Sequence, residues 1–203
     1  MAFGNCSCPL PAALTTIPPF SCGEDLGQIQ KLVVQRFGNP FDDLTKPTLI
    51  ANWTTLKTAT DGTKVVTTPY VENFVIAQGA AITEGGNDNT TIDGIPIVVG
   101  AEAPVATGVF ASLPSATLKA LQTLNCEGNL SVYLINNSGR IIGYSPNGTK
   151  FEGFPIQSFF VGDSGNDGLN TRDKSPVQFG LKAGWRTEAV FVTPADFSAL
   201  FDL

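Results

Sequence analysis

The chain has 203 residues, 12 basic and 18 acidic side chains for a formal net charge of −6, and no histidine. The acidity argues against a stable nucleic-acid complex, because an acidic wall repels phosphates, and the missing histidine removes the commonest general base and metal ligand. Only 15% of residues are charged, against roughly 25% in an average soluble domain, and mean hydropathy is +0.11; such a composition suits a subunit that buries much of its surface in neighbours.

In chain order, residues 1–23 read as an extended Pro/Cys-rich N-terminal arm, since Pro9, Pro11, Pro18 and Pro19 break any regular element. The first residues carry no basic n-region followed by an apolar h-region, so no secretory signal peptide is expected. No apolar run approaches the ~20 residues of a membrane span, so no membrane partner is expected. Cys6, Cys8, Cys22 and Cys126 are spaced poorly for zinc. Reduced thiols are expected ahead of disulfides or a metal site, and no cofactor is expected.

From residue 24 to 203 a single mainly β domain is expected. Ile29, Val33 and Phe37 fit one side of a strand as well as a helical stripe, and the β-branched content and flanking glycines favour the strand. Residues 38–48 read as a loop. Residues 48–60, rich in Thr, read as a strand that turns at Asp61-Gly62 into a second one. A polar loop over 82–94 precedes two short strands in 95–113. One clear helix follows: Ser115 is an N-cap candidate behind Pro114, and Leu118, Leu121 and Leu124 share a side.

The stretch Leu130–Ser145 is a hairpin with Asn136-Asn137-Ser138-Gly139 as its turn. Leu130, Val132 and Leu134 point one way and Tyr133 and Ile135 the other, so both faces are apolar and both need covering. The second face must be covered either by another part of this chain or by another chain. Further β structure runs over 150–161, and a second polar loop spans 162–175. Two long strands, paired around Ala183-Gly184, come next. Thr193-Pro194-Ala195-Asp196 reads as the start of a short C-terminal helix. The sum is a β-sandwich or half-barrel of about ten strands with one packed helix, a short C-terminal helix and an extended N-terminal arm.

No catalytic set emerges. Gly162-Asp163-Ser164-Gly165 matches the nucleophile signature of chymotrypsin-like proteases, but no histidine exists to activate Ser164. Residues 163–168 brush the calcium-loop pattern, yet Lys174 stands where a bidentate Glu is needed. Fourteen Phe against three Tyr and two Trp favours burial over a sugar-stacking platform.

The layout — proline-rich arm, β-sandwich, the helix "SATLKALQTL" feeding the hairpin "LSVYLINNSGRIIGYS", two acidic Gly/Asn-rich loops and closing strands — resembles structural proteins of tailed bacteriophages, in particular tail-tube (major tail) subunits. The resemblance implies a non-enzymatic virion protein, assembled in the host cytoplasm. Its partners would be copies of itself in stacked six-fold rings, other virion proteins, and DNA passing through the lumen. Val132, Leu134, Ile141 and Tyr144 are the expected subunit contacts. Asp88, Asp93, Asp163 and Asp167 are expected on loops facing the lumen or a neighbouring ring. Another virion role (capsid decoration, head–tail connector, fibre base) and a carbohydrate-binding or adhesin sandwich are the alternatives.

Overall fold

The computed structural model describes residues 16–19, 25–86 and 94–203. Asp88, Asp93, Cys6, Cys8, Cys22 and most of the arm lie outside them. Two compact units are present: Leu26–Gly79 with Ala103–Leu203, and a smaller one containing the 80–102 segment.

The fold is mainly β. Among the described residues there are eleven strands: β1 Ile29–Arg36, β2 Val65–Thr67, β3 Glu72–Ile76, β4 Ala81–Glu84, β5 Ile97–Ala101, β6 Val105–Ala111, β7 Leu130–Asn136, β8 Ile141–Tyr144, β9 Phe154–Val161, β10 Lys174–Leu181 and β11 Ala189–Val192. The helices are α1 Ile50–Thr58, α2 Ser115–Thr123 and α3 Ala199–Asp202. Nine strands form one antiparallel sheet in the larger unit, and β4 and β5 pair only with each other.

The large sheet closes on itself. β7 pairs with β1 along its whole length on one edge, and on the other edge it pairs with β9 at Leu130–Val132 and β8 at Leu134–Ile135. β9 pairs with β10, β10 with β6, and β6 with β3. The circuit returns to β1 through the chain leading into β3: Thr68 N donates to Leu32 O (2.9 Å) and Val71 N to Gln30 O (2.8 Å). Closure removes most of the exposed edges that an open sheet would leave.

Because side chains alternate along a strand, β1, β7 and β8 feed two cores. Leu32, Val34, Leu130, Val132, Leu134 and Ile142 pack inside the circuit with Phe110, Phe154, Phe179 and Leu121 of α2. Leu118 and Leu124 pack there too, as the stripe on that helix predicts. Val33, Tyr133, Ile135 and Ile141 point the other way, into a second core with Phe41, Trp53, Phe151, Val192, Ala199 and Leu203. Rings in that core meet edge-on, with Trp53 5.2 Å from Tyr133 and 4.9 Å from Phe41. Trp53 Nε1 donates to Pro47 O (2.8 Å) and the Tyr133 hydroxyl to Gln35 Oε1 (3.1 Å), so both buried polar tips are satisfied.

Four expectations are corrected here. Residues 50–58 are helical, not a strand. Ile50, Trp53 and Leu56 pack on the second core, the Thr55 and Thr58 hydroxyls bond the carbonyls one turn back, and Asp196 Oδ1 accepts the Ile50 N–H (2.9 Å) at the helix start. A cap 146 residues away leaves no local signature. Asp196 is thus spent on α1, and the C-terminal helix begins only at Ala199. β10 and β11 do not pair: Gly184, at φ +76°, turns the chain into a 3-10 turn over Trp185–Glu188, and β11 joins β8 instead. Finally, Ser115 is the first residue of α2, with Pro114 at the N-cap position.

Glu152 sits where the cores meet the 37–41 loop. Its carboxylate accepts the Gly38 and Asn39 backbone N–H groups, yet burial outweighs them and raises its pKa above the ordinary 4.5. The native state therefore holds this proton more tightly than the unfolded chain. The stabilisation is complete below the unfolded value and is lost as pH rises through the folded one. Relative to Glu152→Gln, which keeps an acceptor oxygen, the wild type should lose stability as pH is raised from about 4 towards neutrality. Urea midpoints across that range test this; a constant difference would count against it. In the strands themselves, Leu134→Ala should cost about 2–5 kcal/mol. Gly143→Ala should cost about 1–3 kcal/mol, because a Cβ there would lie 2.6 Å from the Phe151 ring and 2.7 Å from the Glu152 carbonyl oxygen. The same urea curves read both.

Candidate assembly surface

A site on this chain is a surface that its own residues leave uncovered. The 130–145 hairpin is not such a surface. Val132, Leu134 and Ile141 are each 0% exposed, so no atoms remain for a neighbour, and the expected seam at these three residues is corrected: the chain covers both faces itself. The structure does not gather them either, since Val132 and Leu134 face the inner core and Ile141 the outer one. Tyr144 is half-buried at the end of β8, where it lines a small pocket of about 90 Å³ with Phe154, Trp185 and Glu188. Burial, seconded by the Glu188 carboxylate, raises its hydroxyl pKa.

Asp163 and Asp167 both lie on the loop between β9 and β10. Asp163 accepts a hydrogen bond from Gln122 Nε2 (2.8 Å), and Asp167 pairs with Lys174 Nζ (3.0 Å) across an exposed salt bridge. Ser164 shares a hydrogen bond with the Ser175 hydroxyl (2.8 Å), not with a base. Among the described residues no group of three or more His, Cys, Asp or Glu side chains is placed to hold a metal, no helix is long and apolar enough to cross a membrane, and Cys126 is a free, exposed thiol.

Among the described residues, the β4–β5 ribbon is a surface with several exposed aliphatic side chains. Ala81 faces Ala101, Ile82 faces Gly100, and after a one-residue shift Thr83 faces Val98 and Glu84 faces Ile97. Every residue of both strands is exposed. Ile82 is 44% exposed, and Ile97 and Val98 are 57% exposed each. Ile97 and Val98 are adjacent, so they project from opposite faces, each beside a polar cross-strand partner, Glu84 and Thr83 respectively. Neither strand joins the large sheet. A two-stranded hairpin in water is marginally stable at best, and apolar side chains exposed on both of its faces suit it to packing on another chain.

The sequence contains the signal for this ribbon. "IPIVVGA" has the same two-faced apolar character as "LSVYLIN". Periodicity cannot tell which of the two segments the rest of the chain will cover, and it was the longer, more apolar hairpin that drew the expectation of a seam.

No protein-family model and no curated protein matches the chain. Among solved structures it is similar to a chain in the tail of an empty gene transfer agent particle, refined with C6 symmetry, at 9% identity and TM-score 0.37, over 65% of this chain and 87% of that one. It is also similar to a chain of the six-fold symmetrised anti-feeding prophage baseplate, at 7% identity and TM-score 0.38, over 85% and 98%. A type six secretion system protein is similar at 14% identity and TM-score 0.30, over 80% and 82%. Likeness at this level carries no argument about what this chain does.

The ribbon lies in the smaller unit and shares no strand pairing with the large sheet. Val98→Lys combined with Ile97→Asp should leave the melting temperature of the protein within about 2 °C, because exposed substitutions usually change stability by less than ~0.5 kcal/mol. Differential scanning calorimetry checks this. A large drop would mean the ribbon is part of the cooperative core.

Proposed function

We propose that this chain is a non-enzymatic, self-assembling structural subunit of a tailed-phage-type virion, and that it builds a tail tube of stacked rings around a DNA-conducting lumen. One observation carries the assembly: the β4–β5 ribbon presents Ile82, Ile97 and Val98 to water on two faces and joins no strand of the large sheet. A ribbon of this kind is stabilised by burying its apolar side chains on a copy of the same chain. The low charge fraction supports the reading, since a subunit surrounded by neighbours needs little solvating charge.

The tube form is the part that the sequence layout suggests. Net acidity suits a conduit through which DNA slides without sticking. Asp163 and Asp167, on one exposed loop, are the proposed lumen or inter-ring residues within the described chain. Tyr144, at the rim of its pocket, is the one member of the expected seam that still has surface to offer.

Negative-stain electron microscopy of the purified protein over a concentration series, with sedimentation velocity alongside, tests this. Rings or tubes with a central hole are expected for the wild type. The Ile97→Asp/Val98→Lys variant is expected to sediment as a folded monomer. A wild type that stays monomeric at the highest attainable concentration, or a variant that assembles unchanged, would overturn the proposal.

A further inference from the structure

We propose that a groove in the larger unit, formed by the start of β1, the bend entering β3 and the C-terminal helix, is a binding site for a neutral glycan. The groove has a volume of about 460 Å³, within the range of small-ligand sites. Its walls carry two exposed aromatic rings, Tyr70 and Phe201, the latter 79% exposed. Three carboxamides, Gln28, Gln30 and Asn73, share the lining.

The chemistry of the occupant follows from what is already engaged and what is not. The charged groups around the groove are satisfied within the chain. Lys31 Nζ donates to Leu200 O (3.1 Å) and lies 5.5 Å from the Tyr70 ring centroid. Glu72 pairs with Arg172 (3.3 Å), and Asp202 accepts the Ser198 N–H (2.7 Å). The amide side chains of Gln28, Gln30 and Asn73 make no hydrogen bond to the described residues. What remains is a set of neutral donor–acceptor groups flanked by aromatic faces. The complementary ligand is a neutral ring with hydroxyls at its rim and C–H bonds on its face, which is a sugar. A charged ligand would find no unspent counter-charge there.

The rings are also held in place. The Tyr70 hydroxyl donates to Leu200 O (3.0 Å), which ties the bend entering β3 to the residue beside Phe201. Asn73 adopts φ +51° at the irregularity where β3 shifts register against β6, between Glu72 and Val75. Asparagine is among the few non-glycine residues that adopt this left-handed conformation readily. A contact between protein copies fits less well, because the core of such a seam is depleted in polar groups, whereas three carboxamides and a carboxylate share this lining. The site is independent of the β4–β5 ribbon.

Retention of the full chain on immobilised mannan, galactan and β-glucan, with heparin as the acidic control, tests the proposal. The Ile97→Asp/Val98→Lys variant is run in parallel, so that assembly and sugar binding are read separately. Retention on at least one neutral polysaccharide is expected in both proteins, with none on heparin. Phe201→Ala and Gln30→Ala should each weaken it about tenfold at an unchanged melting temperature. Asn73→Gly should weaken retention while holding or raising the melting temperature, since glycine relieves the strained backbone. No retention on any neutral polysaccharide, or retention that Phe201→Ala and Gln30→Ala leave unchanged, would overturn the site. So would a Phe201→Ala change that appears in the sedimentation profile and not in retention, which would assign the groove to contacts between copies.

Discussion

Strand β7 is the constraint on which the rest of the larger unit depends. Its backbone is paired on both edges, with β1 along its length and with β9 and β8 in succession. Its side chains are buried on both faces, so that Tyr133 and Leu134, neighbours in sequence, are fully enclosed in different cores. A one-residue slip would exchange those faces, placing the Tyr133 hydroxyl in the apolar inner core and removing its bond to Gln35. Register is therefore set from two sides at once.

The second core exists because pieces remote in sequence converge on the outer face of β1, β7 and β8. Phe41 comes from a loop, Trp53 from α1, Val192 from β11 and Leu203 from the chain's last residue. Polar contacts pin each piece. Asp196 accepts the first N–H of α1, Lys57 Nζ donates to the carbonyl oxygens of Asp202 and Leu203, and backbone bonds between Phe41 and Phe151 fix the loop. Glu152 also holds that loop, but a carboxylate driven above its ordinary pKa by burial is a less favourable anchor when ionised. This corner is thus the part of the layer that responds to pH.

With both faces of the central hairpin covered internally, unmet burial demand shifts to the β4–β5 ribbon. There, aliphatic side chains stand exposed on both faces of four- and five-residue strands. The groove beside Tyr70 and Phe201 differs in kind. It combines exposed rings with amides, and so it calls for a hydroxylated ligand rather than an apolar partner.

Much of this was legible in the order of residues. The strands at 29–36, 97–101, 105–111, 130–136 and 141–144 follow from β-branched runs and turn residues, and α2 follows from its leucine stripe. What failed did so for long-range reasons. Residues 50–58 have the Thr-rich texture of a strand, and a remote Asp196 and a waiting aromatic core made them a helix, a tertiary override of local propensity. β10 and β11 look like a hairpin in sequence, but each finds a better partner elsewhere in the sheet. By itself the sequence determined that the 130–145 hairpin is apolar on both faces and must be covered, because side-chain alternation is a local property of any strand. Only the tertiary structure decided that its own chain covers it, and that part of the 82–94 stretch read as a polar loop is a strand, Ala81–Glu84, paired with Ile97–Ala101, because covering and pairing depend on which distant segments arrive, and no local pattern records that.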